Sequence, residues 1–187
     1  MTKVFIGGSR RISRLNSGLV ERIDNIVQKG FTILVGDANG ADKSVQMVLA
    51  EKRYGKVIVF CMGTSCRNNV GGWKANNVPD IPGKKDFQYY SRKDAEMARE
   101  ADFGFMIWDA KSKGTLNNIL NLLRDHKKVL VYFEPDKSFH NVSTWDDLVN
   151  LLERCDKATL NVFEEKLGLS RYLGSEKGQK VMEFTPT

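Results

Sequence analysis

Histidine and cysteine are scarce in this chain. His126 and His140 stand well apart, and Cys61, Cys66 and Cys155 show no metal-ligand spacing. A zinc site needs paired Cys or His ligands, so no metal and no cofactor is expected. The odd number of thiols reads as reduced cysteines. The start, MTKVFIGG, passes straight into an apparent core strand, with no charged leader, apolar stretch and cleavage site. A cytoplasmic setting is therefore expected. Long apolar runs are missing too. None approaches the roughly 18 residues that a membrane-spanning helix requires, which leaves no membrane partner. Charge of one sign is only mildly in excess. Lys plus Arg number 29 against 23 for Asp plus Glu, a net +6 over 187 residues. Such a balance favours anionic partners without choosing among them.

What is present is an alternation of apolar runs and helical patterns. Val4-Phe5-Ile6 reads as a buried strand, and Leu19, Ile23, Ile26 and Val27 follow at helical spacing up to Gly30. Phe31 to Val35 is a second strand, and Val45, Val48, Leu49 and Lys52 share the face of a second helix. Val57 to Cys61 makes a third strand. Residues 63–90 then lose periodicity and collect glycines, asparagines, Trp73, Arg67 and Lys74. A loop of that length inside a domain is usually functional, and it is read as a lid with room for a short strand or hairpin. A helix from Ser91 to Ala101, the strand FGFMIW, a helix from Leu116 to His126 and the strand KVLVYF complete the pattern.

Five strands that are apolar throughout, alternating with four helices, predict a parallel sheet covered on both faces. The expected fold is α/β: a Rossmann-like three-layer sandwich with a mostly parallel five-stranded sheet over residues 1–135. Residues 136–187 form a C-terminal helical extension, with a helix in STWDDLVNLLERC, another around Leu160 to Leu167, and a charged, glycine-containing tail. The apolar face of the helix after Ser143 leaves room for a homo-oligomer.

In open parallel sheets ligands bind beyond the carboxyl ends of the strands. The residues there are Gly7-Gly8-Ser9-Arg10 after the first strand, Gly36-Asp37 and Gly40-Ala41-Asp42 after the second, and Asp109, Ser112, Gly114 and Thr115 after the fourth. Arg92-Lys93 leans toward the same rim. Neither glycine cluster matches the dinucleotide or P-loop spacing. Their chemistry is nonetheless that of phosphate binding: glycines let backbone N–H groups approach an anion, a helix N-terminus adds partial positive charge, and Ser9 or Thr115 can donate a hydrogen bond. Arg10 adds permanent charge with bidentate donors, while Arg11 reads as a solvated charge. Asp109 could receive ribose hydroxyls, act as a base, or cap the next loop. Tyr89 and Tyr90 could stack on a base or pack beneath the lid; Met97 and Met106 read as core.

Three stretches, IGGSR, VGDANGADKSV and SRKDAEMAREADFGFMIWDAKSKGT, make residues 3–133 resemble the SLOG superfamily. That group contains the Lonely Guy phosphoribohydrolases (the lysine decarboxylase-like proteins), DNA-processing protein A and many uncharacterised bacterial and phage proteins. Arg92-Lys93 matches the R-K of the phosphoribohydrolases and Gly114-Thr115 their G-T. Met97 falls one residue later than their methionine, and Ala110, Lys111 and Ser112 replace P-G-G. Asn118 stands where they carry a glutamate, and an amide cannot relay a proton. The spellings look closer to a nucleotide-binding branch of the superfamily. The resemblance implies a nucleotide or nucleotide-derived phosphorylated ligand at the sheet's C-terminal rim, held by the glycine turns, Ser9, Arg10, Arg92, Asp109, Ser112, Thr115 and Asn118. Two alternatives stand beside it. One is hydrolysis of an N-glycosidic bond with Arg92 and Asp109, or Asp42 or Asp37, in catalytic roles; the other is binding of single-stranded nucleic acid.

Overall fold

The computed structural model describes residues 1–80, 83 and 85–173. The tail beyond residue 173, expected to fray, lies outside them. Its centre is one seven-stranded sheet: β1 (Lys3–Gly8), β2 (Thr32–Gly36), β3 (Val57–Met62), β4 (Lys74–Val78), β5 (Phe103–Trp108), β6 (Lys128–Phe133) and β7 (Ser138–Val142), in the order β4-β3-β2-β1-β5-β6-β7. All neighbours are parallel except β6 and β7. The chain builds outward from β1 to β4, then crosses back to lay β5 on β1's other side. The point where the order reverses therefore lies between the carboxyl ends of β1 and β5, where a crevice must open.

The period-2 alternation of each strand divides its side chains between two apolar layers. Val4, Ile6, Ile33, Val35, Val59, Phe105 and Ile107 face α1 (Ser17–Gln28) and α2 (Ala41–Glu51). Phe5, Leu34, Phe60, Met106 and Trp108 face α3 (Phe87–Glu100) and α4 (Lys113–Arg124). Both layers are buried, which is why the strands read as continuous apolar runs. The second layer extends to α5 (Trp145–Leu152) and α6 (Lys157–Leu167), with α7 (Ser170–Leu173) beside them. Trp108 is fully buried, its ring centroid 5.6 Å from Phe133 and 6.0 Å from Phe163 of α6. Pairs of that kind add about 0.5–1.5 kcal/mol each beyond the area they bury, so α6 is anchored next to the end of β5. Leu148, Leu151 and Leu152 of α5 are buried within the chain.

Two strands exceed the five that the pattern predicts. β4, KANNV, is a polar edge strand with no apolar alternation, and β7, SFHNV, reverses direction after Lys137, which sits in the left-handed region at φ 54°. Helix α3 starts at Phe87, capped by Asp86, and not at Ser91. Its buried stripe is Tyr89, Lys93 and Met97, and a lysine in the stripe hides the period. Cys61 and Cys66 are joined in a disulfide, contrary to the reading of reduced thiols; Gly63, at φ 73°, turns the chain so that their Cα atoms lie 5.0 Å apart. Cys155 is free, and burial, with the nearby Asp156 charge, pushes its thiol up to about 11. Among the described residues no helix is long and apolar enough to cross a membrane.

Candidate functional site

A cavity of about 650 Å³ opens at the switch point, within the roughly 300–1,000 Å³ range of small-molecule sites. Gly8, Ser9, Arg10, Asp42, Asp109, Ser112, Gly114, Thr115 and Asn118, all named from the sequence, line it. Phe5 and Met97 supply an apolar part of the wall, and Tyr90, Lys111 and Lys113 complete the polar side. Val162 and Lys166 of α6 also reach the cavity, so the C-terminal extension contributes to its wall.

The loop after β5 is held by one carboxylate. Asp109 Oδ1 accepts the backbone N–H groups of Lys111 (3.1 Å) and Ser112 (2.7 Å), and Oδ2 accepts the Ser9 hydroxyl (2.7 Å). Asp109 thus ties the β5–α4 loop to the β1–α1 turn and acts as a positioning residue. The loop then enters α4 through Ser112, whose hydroxyl accepts from Thr115 N–H at 3.3 Å and Thr115 Oγ1 at 3.0 Å. The N–H groups of Lys113 and Gly114, in the first turn of α4, take no partner within a helix and are available to an anion. Exposed Arg10, Arg11 and Lys111, together with Lys113, line the same cavity. Lys113 lies 4.7 Å from the centroid of the Phe87 ring, and the Arg10 guanidinium 5.6 Å from that of Tyr90.

The turn after β2 has a different role. Ala41 N–H donates to the Ser9 carbonyl (3.1 Å), and Gly40, at φ 83°, presses against the Arg10 backbone, where a Cβ would come within 2.4 Å. A Cβ on Gly36 would fall 2.3 Å from Asp42 Oδ2 and 2.9 Å from Lys93 Nζ. Gly7, Gly36, Asp37, Gly40 and Ala41 do not line the cavity; the glycines allow the two turns and the groups behind them to pack. Arg92 is exposed and also lies off the cavity, whereas its neighbour Lys93 is 3% exposed and lines it.

Lys93, expected at the rim as part of the Arg92-Lys93 pair but given no role of its own, is the buried member of that pair. Its ammonium donates to Asp94 at 2.6 Å and lies 3.9 Å from Asp37. Burial pulls its pKa down, but the charges of Asp94, Asp42 and Asp37 outweigh that and raise it. Asp37 is also held by Arg67, through Nη2 at 2.6 Å, Nε at 3.1 Å and the backbone N–H at 3.0 Å. Burial alone would push Asp37 up; the Arg67 hydrogen bonds and the Lys93 charge overcome it and hold the carboxyl below its ordinary value. Asp42 goes the other way. Burial dominates over the attraction of Lys93, and its pKa is pushed up to about 6.

The expected lid is fastened by its first half. Beyond Arg67 and the disulfide, Asn68 Nδ2 donates to the Asp37 carbonyl (2.8 Å) and Gln46 Oε1 accepts from Val70 N–H (2.9 Å). Residues 74–78 are a sheet edge. Tyr90, from the start of α3, faces the cavity with the Arg67 guanidinium 4.6 Å from its ring centroid; Tyr89 is buried. Among the described residues there is no cluster of His, Cys, Asp and Glu able to hold a metal ion.

Fold and crevice together define a Rossmann-like α/β protein with its candidate site at the topological switch point. No protein-family model matches the chain, and no curated protein matches it in sequence. Among solved structures it is similar to DNA processing protein A from Helicobacter pylori, described for its single-stranded DNA binding mode, with 16% identity, a TM-score of 0.55, and coverage of 89% of this chain and 80% of that one. At that identity the likeness is one of fold.

Proposed function

We propose that the protein binds a nucleotide or nucleotide-derived phosphorylated ligand in the switch-point cavity. The observation that carries this reading is the convergence on one cavity of the open N-terminus of α4 with Arg10, Lys111 and Lys113. Backbone N–H groups and fixed cations lining one cavity suit a phosphate, and the apolar Phe5 and Met97 in the same cavity suit a nucleoside. The resemblance of IGGSR, GADKS and the α4 entry to SLOG proteins supports the same class. Turnover of the Lonely Guy type has less support, because Asn118 replaces the glutamate and both Asp109 oxygens already accept hydrogen bonds.

The test is calorimetric titration with adenosine monophosphate. Lys113→Glu is expected to weaken binding at least tenfold, on the order of the 1.4 kcal/mol that one charge-assisted contact supplies, and added salt should weaken the wild type in the same direction. An unchanged affinity in the variant would remove α4 from the site. A second reading, binding of single-stranded nucleic acid, has its support in the DNA-binding protein of similar fold. A single-stranded oligonucleotide that binds with a steep salt dependence, while mononucleotides give no heat, would favour it.

A further inference from the structure

One acceptor on the cavity wall, Asn118 Oδ1, has no partner among the described residues, and a second, Asp42, has a single long one. Asn118, from the second turn of α4, is 6% exposed and its Oδ1 accepts no hydrogen bond. Asp42, from the first turn of α2, is 7% exposed; its Oδ2 takes only a long hydrogen bond from Ala38 N–H at 3.3 Å. Among the described residues Asp42 has no ion pair, because the cations near it are engaged elsewhere: Lys93 by Asp94 and Asp37, Arg67 by Asp37. The charged groups that face Asp42 are thus Asp37 of its own turn, Lys93 and Asp94 of α3, and Arg67 of the fastened loop. Three carboxylates share two cations, and Asp42 feels the Lys93 charge without a direct ion pair to it.

A buried acceptor with no donor, or a buried carboxylate with only one weak donor, is destabilising. Both of these line the cavity, as do Phe5 and Met97. We infer that Asp42 and Asn118 form a donor-recognising subsite, so that the uncharged part of the ligand carries at least two hydrogen-bond donors. This inference rests on the proposed binding of a phosphorylated ligand and adds its second half: an anion is read at the first turn of α4, and a pair of N–H or O–H groups at Asp42 and Asn118. A ribose cis-diol and the amino-bearing edge of a base both offer such a pair.

The experiment titrates the wild type, Asp42→Ala and Asn118→Ala with inorganic phosphate, adenosine monophosphate, deoxyadenosine monophosphate and inosine monophosphate, with thermal unfolding to establish that each variant is folded. Adenosine monophosphate should bind the wild type at least about tenfold more tightly than phosphate. Asp42→Ala should lose about tenfold and Asn118→Ala about threefold for the nucleotide, with phosphate unchanged, as expected for charged and neutral hydrogen bonds. A drop with the deoxynucleotide assigns the pair to the diol, and a drop with the inosine nucleotide assigns it to the base edge; either supports the subsite. Equal affinity for phosphate and all three nucleotides overturns the subsite and leaves the anion site standing, as does a loss under twofold in both folded variants. No binding of phosphate or of any nucleotide overturns the proposed function itself. If a variant fails to fold, the wild-type series alone decides.

Discussion

Replacing Gly40 by alanine is expected to cost about 3–4 kcal/mol of folding stability. The φ of 83° is one that L side chains rarely adopt, and the new Cβ would meet the Cα, C and O of Arg10 at 2.4–2.5 Å. Strain of that kind costs roughly 1–3 kcal/mol and overpacking against an unyielding backbone roughly 1–3 more. For a chain of this size the melting temperature should fall by roughly 10 °C. Gly55 provides the control. A Cβ there meets nothing within 4 Å, and Gly55→Ala should stay within about 0.5 kcal/mol of the wild type. The functional meaning is that the β1–α1 and β2–α2 turns are one packed unit. A Gly40→Ala protein as stable as the Gly55→Ala protein would show that they are not.

Arg67→Ala should be the second large loss, about 2–3 kcal/mol at neutral pH. Removing the guanidinium leaves a buried carboxylate with Lys93 at 3.9 Å as its remaining counter-charge, and breaking a buried pair costs roughly 3–5 kcal/mol. The lower figure reflects the Arg67 side chain, 38% exposed and partly screened by water. The pH dependence follows from the sign of the shift. Asp37 is held below its ordinary 3.8, so its contribution is present above that value and is lost as pH falls through the lower, folded one. The gap in unfolding free energy between variant and wild type should therefore close at acidic pH. Asp42 contributes oppositely in both proteins. With its pKa raised from 3.8 to about 6, the stability linked to its protonated form is complete below 3.8 and is lost as pH rises to about 6. Urea denaturation of both proteins across this range measures the difference; a gap that stays constant into acid would place the Arg67 effect outside its pairing with Asp37.

The class of fold was legible because buried parallel strands have no polar face. Runs such as FTILV and FGFMIW can only belong to a sheet covered on both sides, and the crevice follows from strand order. Edge strands escaped the same logic. KANNV buries only Val78, and its asparagines carry no apolar pattern. At the site, Ser9, Arg10, Asp109, Gly114, Thr115 and Asn118 were readable as residues following strand ends or entering a helix, and they come together on one cavity. Arg92-Lys93 was legible at the rim only as a pair; the burial of Lys93 was hidden, because a lysine in a helix reads as solvated unless carboxylates wait for it. Asp94 adjoins it in sequence, but Asp37 and Asp42 lie on another turn, and only the fold brings Asp37 within 3.9 Å of it. Arg92 was the natural choice from charge and resemblance, yet the helical phase of α3 turns it to solvent and its neighbour inward. Of the roles open to Asp109, capping the next loop is the one its Oδ1 fills, while its tie to Ser9, 100 residues earlier, was out of reach.

The central claim is that the cavity between β1 and β5 is the ligand site. The measurement that tests it most directly is amide chemical-shift mapping of the intact protein during titration with adenosine monophosphate. The account predicts saturable shifts centred on Ser9, Arg10, Gly114, Thr115 and Asn118, with the outer faces of α1 and β7 unaffected. Shifts that cluster on those outer faces, or no shift at millimolar nucleotide, would contradict it.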